Sequence, residues 1–130
     1  MDKYDVVVIG AGPGGYPAAI RAAQLGAKVA IIEKEDLGGT CLNHGCIPTK
    51  TLIASAELYH HMQHANDLGV KAGKISFDYA AMVKRKDDVV AKLNGGVGQL
   101  LKGNKVTVYK GTGSFVKRNK IAIKSGKKKT

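Results

Sequence analysis

Apolar and polar positions along the chain fall into two alternating regimes. Residues 4–9, "YDVVVI", form a short, β-branched and nearly continuous apolar run, the pattern of a parallel strand buried on both faces. Residues 13–25 are Ala-rich and give way to Gly26, which predicts a helix with a glycine stop. Residues 29–32, "VAII", repeat the buried-strand pattern. Strand, glycine turn, helix and strand make a βαβ unit, whose crossover is right-handed in nearly all proteins.

Beyond residue 50 the period lengthens. Leu52, Ile53, Ala56, Tyr59 and Met62 recur at helical spacing, with Gly69 as terminator. Residues 77–104 predict a second long helix, capped near Asp78 and weakened by Gly95, Gly96 and Gly98. "KVTVYKG", "GSFVK" and "NKIAIKSGK" read as short strands joined by Gly and Asn turns. The last of them runs into "SGKKKT", where a returning hairpin strand is expected and no partner for it is left. The pattern is therefore that of a piece of a longer protein.

At 130 residues the chain suits one domain with its own core. Its hydrophobic content of 44% lies in the globular range, and with no Trp that core must come from Val, Ile, Leu and Ala, which favours an α/β protein. The opening "MDKYDVVVIG" is acidic where a secretory signal would be basic, and no run approaches the roughly 20 apolar residues of a bilayer span. A soluble, cytoplasmic protein without membrane contact is expected. The net charge of +11 is lopsided: residues 1–70 hold five Lys/Arg against seven Asp/Glu, residues 71–130 sixteen against three. A basic half can mark a nucleic-acid partner. Here the lysines are spaced singly except at 127–129, so a solvated face without nucleic acid is the preferred reading and a basic nucleotide- or nucleic-acid-binding module the alternative.

Gly10, Gly12 and Gly15 fit G-x-G-x-x-G between the first strand and the first helix. In that motif the first glycine makes the tight turn, the second lets backbone approach a pyrophosphate, and the third lets helix pack close to strand. Helix N–H groups then face the phosphate charge. Glu33 ends the second strand, 18 residues beyond Gly15, placed to accept hydrogen bonds from ribose hydroxyls. An acid there disfavours a 2′-phosphate, so FAD or NAD is expected rather than NADP. Pro17 falls near the margin of the helix's first turn if the helix begins at residue 13 or 14, and a small local distortion is expected there.

The chain's two cysteines, Cys41 and Cys46, lie five apart in "GGTCLNHGCIPTK", after Thr40, a capable N-cap. In a regular helix that spacing would separate the Cα atoms by roughly 8.7 Å, whereas a disulfide needs under about 7 Å. A bridge would require a broken turn, which Gly45 and Pro48 would permit. Cys41, Cys46, His60 and His64 also spell C-x4-C-x13-H-x3-H, close to a zinc-finger spacing. A finger, however, needs a small hairpin where this chain has a βαβ unit, so no metal is expected, and the histidines read as helix surface. Lys50 lies four residues after Cys46, on the same face if the helix is regular, where a cation would favour a thiolate.

"VVVIGAGPGGYPAAIRAAQLGAKVAIIEK" followed by "LGGTCLNHGCIPTKTL" resembles the flavoprotein disulfide reductase family, which also holds glutathione and mercuric reductases, and within it the lipoamide-oxidising branch, which has Ile-Pro where glutathione reductases tend to have Val-Pro. "GGVGQLLKGNKVTVYKGTGSF" resembles the segment leading to that family's β-meander. The resemblance implies an incomplete Rossmann-like FAD-binding domain over residues 1–130, with a small parallel sheet, flanking helices and the start of a meander, and with NAD and dimerisation domains absent. It implies FAD held by Gly10, Gly12, Gly14 and Gly15, with Glu33 and Lys34 at the adenosine end and Gly113 near the adenine. Gly39, Thr40 and Cys41 would run along the pyrophosphate and flavin, and Lys50 would lie near the flavin ring. Cys41 and Cys46 would form a redox disulfide, Cys41 exchanging with dihydrolipoamide and Cys46 next to the flavin. The implied partners are NAD, dihydrolipoamide or the lipoyl domain of a 2-oxo acid dehydrogenase complex, and a second subunit of the full-length homodimer. These residues by themselves are not expected to turn over dihydrolipoamide with NAD. A related enzyme such as a mercuric reductase is the alternative.

Overall fold

The computed structural model describes residues 2–125 and 128–129. Strand β1 (Val6–Ile9) leads through the glycine turn into helix α1 (Gly15–Gln24) and strand β2 (Val29–Glu33). Short helix α2 (Gly39–Asn43), long helix α3 (Cys46–Gln63) and a 3-10 turn (Ala65–Leu68) follow, then helix α4 (Tyr79–Gly103) and strand β3 (Thr107–Lys110). Strands β4 (Thr112–Lys117), β5 (Lys120–Ser125) and β6 (Lys128–Lys129) complete the order. The α/β class and small parallel sheet expected from the sequence are present.

β1, β2 and β3 form a parallel sheet in that order, with Val8 opposite Ile31 and Ile31 opposite Val108. Among the described residues β2 is the strand buried along its whole length; β1 is an edge, with Val6 37% and Ile9 44% exposed. The apolar run of β1 is thus not buried on both faces, although its composition is that of a central strand. Alternation along β2 divides the core. Val29 and Ile31 point toward the helices and pack with Ala11, Ala19, Leu42, Val97, Leu101 and Val106. Ile32 points the other way, toward Gly113 of β4. Tyr4 and Tyr109 join hydroxyls at 2.8 Å, and Tyr109 donates to Asp2 Oδ2 at 2.7 Å, tying the chain before β1 to β3.

Three local expectations need correction. Helix α1 starts at Gly15, two residues later than the Ala-rich run implies, so Pro17 is its third residue and has no intrahelical N–H bond to forgo. The helix runs unbroken through it. Thr40 lies inside α2 and caps nothing; the N-cap is Gly38, in the left-handed region at φ 92°. And the tail does supply a partner strand for β5, since Lys124 and Ser125 pair with Lys129 and Lys128. Asp78 caps α4 as expected, accepting the Ala81 N–H at 3.0 Å, and Gly69 (φ 74°) ends the 3-10 turn.

Candidate functional site

The glycine turn is built from the core outward. Gly10 N–H donates to the Ile32 carbonyl at 2.7 Å, holding the turn to the end of β2. A Cβ at Gly15 would collide with the Gly10 carbonyl, so only glycine lets α1 approach β1 this closely. Around Gly12 and Gly14, by contrast, the space that a Cβ would enter is open. That space adjoins the N-terminus of α1, whose dipole favours an anion, although the Gly15 and Tyr16 N–H groups already donate to Gly12 O at 2.9 and 3.1 Å.

A second turn packs onto the first. Gly38 N–H donates to Ala11 O at 2.8 Å, and Gly39 has φ 62°. A Cβ on Gly39 would stand 2.8 Å from Gly12 Cα. Gly12 and Gly39 are therefore in direct backbone apposition, and the chain that leaves this contact is α2, with Thr40 and Cys41.

Glu33 is 7% exposed, yet both of its oxygens are engaged. Oε2 accepts the Ala11 N–H at 2.7 Å and Oε1 accepts the Glu35 N–H at 2.8 Å. Burial pushes this carboxyl up, but the N–H groups of Glu35, Ala11 and Lys34 together with the Lys110 charge outweigh it and hold the group below its ordinary value. The two carboxylate oxygens have four lone pairs between them, so these three N–H donors leave one acceptor site. Glu33 lines a groove of about 270 Å³ with Ile9, Gly10, Ile32, Lys34, Gly39, Thr40 and Gly113. Six residues singled out in the sequence thus meet in one cleft: Gly10, Glu33, Lys34, Gly39, Thr40 and Gly113. The apolar side chains Ile9 and Ile32 offer it a flat wall, and Glu33 offers an acceptor for a hydroxyl group.

Cys41 and Cys46 are joined in a disulfide with Cα atoms 4.7 Å apart. The chain reaches this distance by breaking the helix. α2 stops at Asn43, His44 and Gly45 take non-helical backbone (Gly45 φ −124°, ψ −101°), and α3 restarts at Cys46. Pro48 is then the third residue of α3, where no N–H is needed. Cys41 also lines an apolar groove of about 330 Å³ with Pro13, Tyr16, Ile47, Leu93 and Leu100. Cys46 and Lys50, one turn further along α3, are both exposed and line neither groove.

The zinc-like spacing gathers nothing. Both sulfurs are used in the disulfide, and among the described residues no cluster of three potential ligands occurs. His60 and His64 lie at the exposed end of α3 with ring centroids 4.4 Å apart and planes tilted by 42°. Residues that the sequence reading did not single out complete the site. Asn43 and Asn94 share the Leu37 carbonyl, and Leu93 and Leu100 wall the apolar groove. Leu93 and Leu100 are on α4, about 50 residues from Cys41, where no local spacing signals the encounter.

Fold and site together define a dinucleotide-binding α/β unit that carries a short-loop disulfide beside its glycine turns. Residues 4–130 match the pyridine nucleotide-disulphide oxidoreductase family, and the chain belongs to it. It is 53% identical over 119 residues to the dihydrolipoyl dehydrogenase of Bacillus subtilis, covering 92% of this chain and 25% of that protein. It is 49% identical over 129 residues to the dihydrolipoyl dehydrogenase of Acholeplasma laidlawii, covering 98% and 38%. The Cu(II) complex of the HOCl-induced flavoprotein disulfide reductase RclA from Escherichia coli superimposes with a TM-score of 0.78 at 30% identity, over all of this chain and 26% of that one. The chain thus spans about a quarter to two fifths of the length of these relatives. Among the described residues no helix is long and apolar enough to cross a membrane.

Proposed function

We propose that this chain is the FAD-binding and redox-disulfide portion of a dihydrolipoyl dehydrogenase, which oxidises dihydrolipoamide and passes its electrons to NAD. The observation that carries this reading is the contact between Gly12 and Gly39. It makes the acid-lined groove and the disulfide consecutive parts of one surface, so a ligand lying in the groove and along the glycine turns runs toward the cysteines.

Glu33 would accept a ribose hydroxyl of FAD, Gly113 and Ile32 would flank the adenine, and the open space over Gly12 and Gly14 at α1 would take the pyrophosphate. The cleft fits these groups in size and polarity. Bound FAD would supply the electron-pair acceptor that the cysteines need, and NAD would take the electrons at residues outside this chain.

The apolar groove in front of Cys41 suits the aliphatic arm of dihydrolipoamide. A substrate thiolate would attack Cys41 Sγ, form a mixed disulfide, and break the Cys41–Cys46 bond with its electron pair leaving on Cys46 Sγ. The second substrate thiol, losing its proton, would displace Cys41 and close the dithiolane ring. Two electrons and two protons pass from the substrate to the cysteine pair. The partners of this reading are the lipoyl domain of a 2-oxo acid dehydrogenase complex and, for the full-length protein, a second subunit.

Equilibrium dialysis of the chain against FAD tests the cofactor half. Saturable binding that falls at least tenfold in Glu33→Ala is expected. No saturable binding, or the same affinity in the variant, would overturn the assignment of the groove.

A further inference from the structure

Helix α2 carries Cys41 but has only five residues, too few to hold its own place. Something must fix it relative to α3, which carries Cys46. A carboxamide network does so at the loop where α2 begins. Asn94, near the middle of α4, donates through Nδ2 to Leu37 O at 2.8 Å and to Asn43 Oδ1 at 3.1 Å. Asn43 in turn donates through Nδ2 to Leu37 O at 3.0 Å and to Gly39 O at 2.9 Å. Leu37, two residues before α2, and Asn43, its last residue, are thereby tied to α4, which also packs along α3. Both asparagines are half-buried, and Asn94 lies 51 residues from Asn43 in sequence.

We propose that Asn94 is a positioning residue for the redox pair, holding α2 so that the Cys41 and Cys46 thiols stay within bonding reach when the disulfide is open. This rests on the redox reading of the pair. When a dithiol HS–R–SH reduces the bond, Cys41 and Cys46 each gain a hydrogen and the reagent becomes its disulfide; the covalent tie between α2 and α3 is lost. The Asn94 network is not. It keeps the effective concentration of one thiol at the other high and favours re-formation of the bond. Removing it lets α2 move in the dithiol form alone, since the oxidised form is still held by the sulfurs. The equilibrium then shifts toward the dithiol.

The test is the equilibrium of this chain with reduced and oxidised dithiothreitol, read as the ratio of disulfide to dithiol by mass after acid quench. Asn94→Ala is the variant; alanine is the better helix former, so α4 itself is not weakened. We expect the ratio to fall about threefold to tenfold, a rise in potential of up to about 30 mV. Asn43→Ala should produce a similar fall, and the double variant less than the product of the two, because the residues act through one network. Leu101→Ala, which removes a fully buried side chain from the same helix, should lower thermal stability and leave the ratio alone. An unchanged ratio in Asn94→Ala, or an equal shift in Leu101→Ala, would overturn the role of Asn94 while the redox reading stands. A wild-type disulfide that no dithiol opens under native conditions would overturn both.

Discussion

Glu33 shows how a single residue serves structure and site together. Its carboxylate closes the glycine turn through Ala11 and the following bend through Glu35, and leaves a lone pair for a ligand. Because its folded pKa lies below the ordinary value near 4.5, its contribution to stability is complete above that pH and is lost as pH falls through the folded value. Glu33→Gln places an N–H donor against a backbone N–H and should cost about 1–3 kcal/mol at pH 7. That cost should shrink as pH falls through the folded value, where the wild-type acid is itself protonated. Urea unfolding at pH 7 and stepwise into the acid range measures both, and a cost independent of pH would contradict the assignment. Glu33 and the glycines were legible in the sequence because strand, turn and acid follow one another at fixed spacing. Asn94 was not: an asparagine on a helix carries no local mark of a hydrogen bond to a loop 57 residues away.

At the scale of elements, apolar period located β1 to β5 and helices α1, α3 and α4 but not the short α2, the 3-10 turn or β6, and the remaining errors lie at element ends. Thr40 has the chemistry of a cap, but two left-handed glycines, Gly38 and Gly39, set the start of α2 instead. The packing of Gly39 on Gly12 decides that boundary, and it is a tertiary contact. The helix break at His44 and Gly45 was foreseeable, since an unbroken helix cannot bring Cys41 and Cys46 into bonding distance. Pro17 is a milder case. As the third residue of α1 it has no intrahelical hydrogen bond to lose and lies beyond the reach of a clash within the helix. Pro17→Ala should therefore change stability by less than about 1 kcal/mol in either direction. Thermal unfolding checks this; a stabilisation above that limit would show that the proline strains the turn.

At the scale of the whole molecule, both sheets have open edges among the described residues. β1 is an edge of the parallel sheet, with Val6 and Ile9 exposed, and β4 is an edge of the antiparallel sheet, with Phe115 and Val116 72% and 54% exposed. Edges of this composition template pairing with other chains. Sedimentation velocity should show self-association of the isolated chain that grows with concentration; a monomer across the range from micromolar to near-millimolar would contradict this. The β1 sequence could not reveal the edge, because an apolar strand reads the same whether or not a neighbour covers it. The uneven charge was legible as a basic second half, and the structure spreads it over α4 and the β4–β5 hairpin as exposed lysines.

The central claim is that Cys41 and Cys46 exchange electrons with a dithiol substrate in the setting this fold provides. Anaerobic incubation of the folded chain with one equivalent of dihydrolipoamide, followed by intact mass and quantitation of lipoamide, tests it directly. The account predicts a gain of two hydrogens on the chain, localised to Cys41 and Cys46, matched mole for mole by lipoamide. A chain that keeps its disulfide while dihydrolipoamide remains reduced would contradict it.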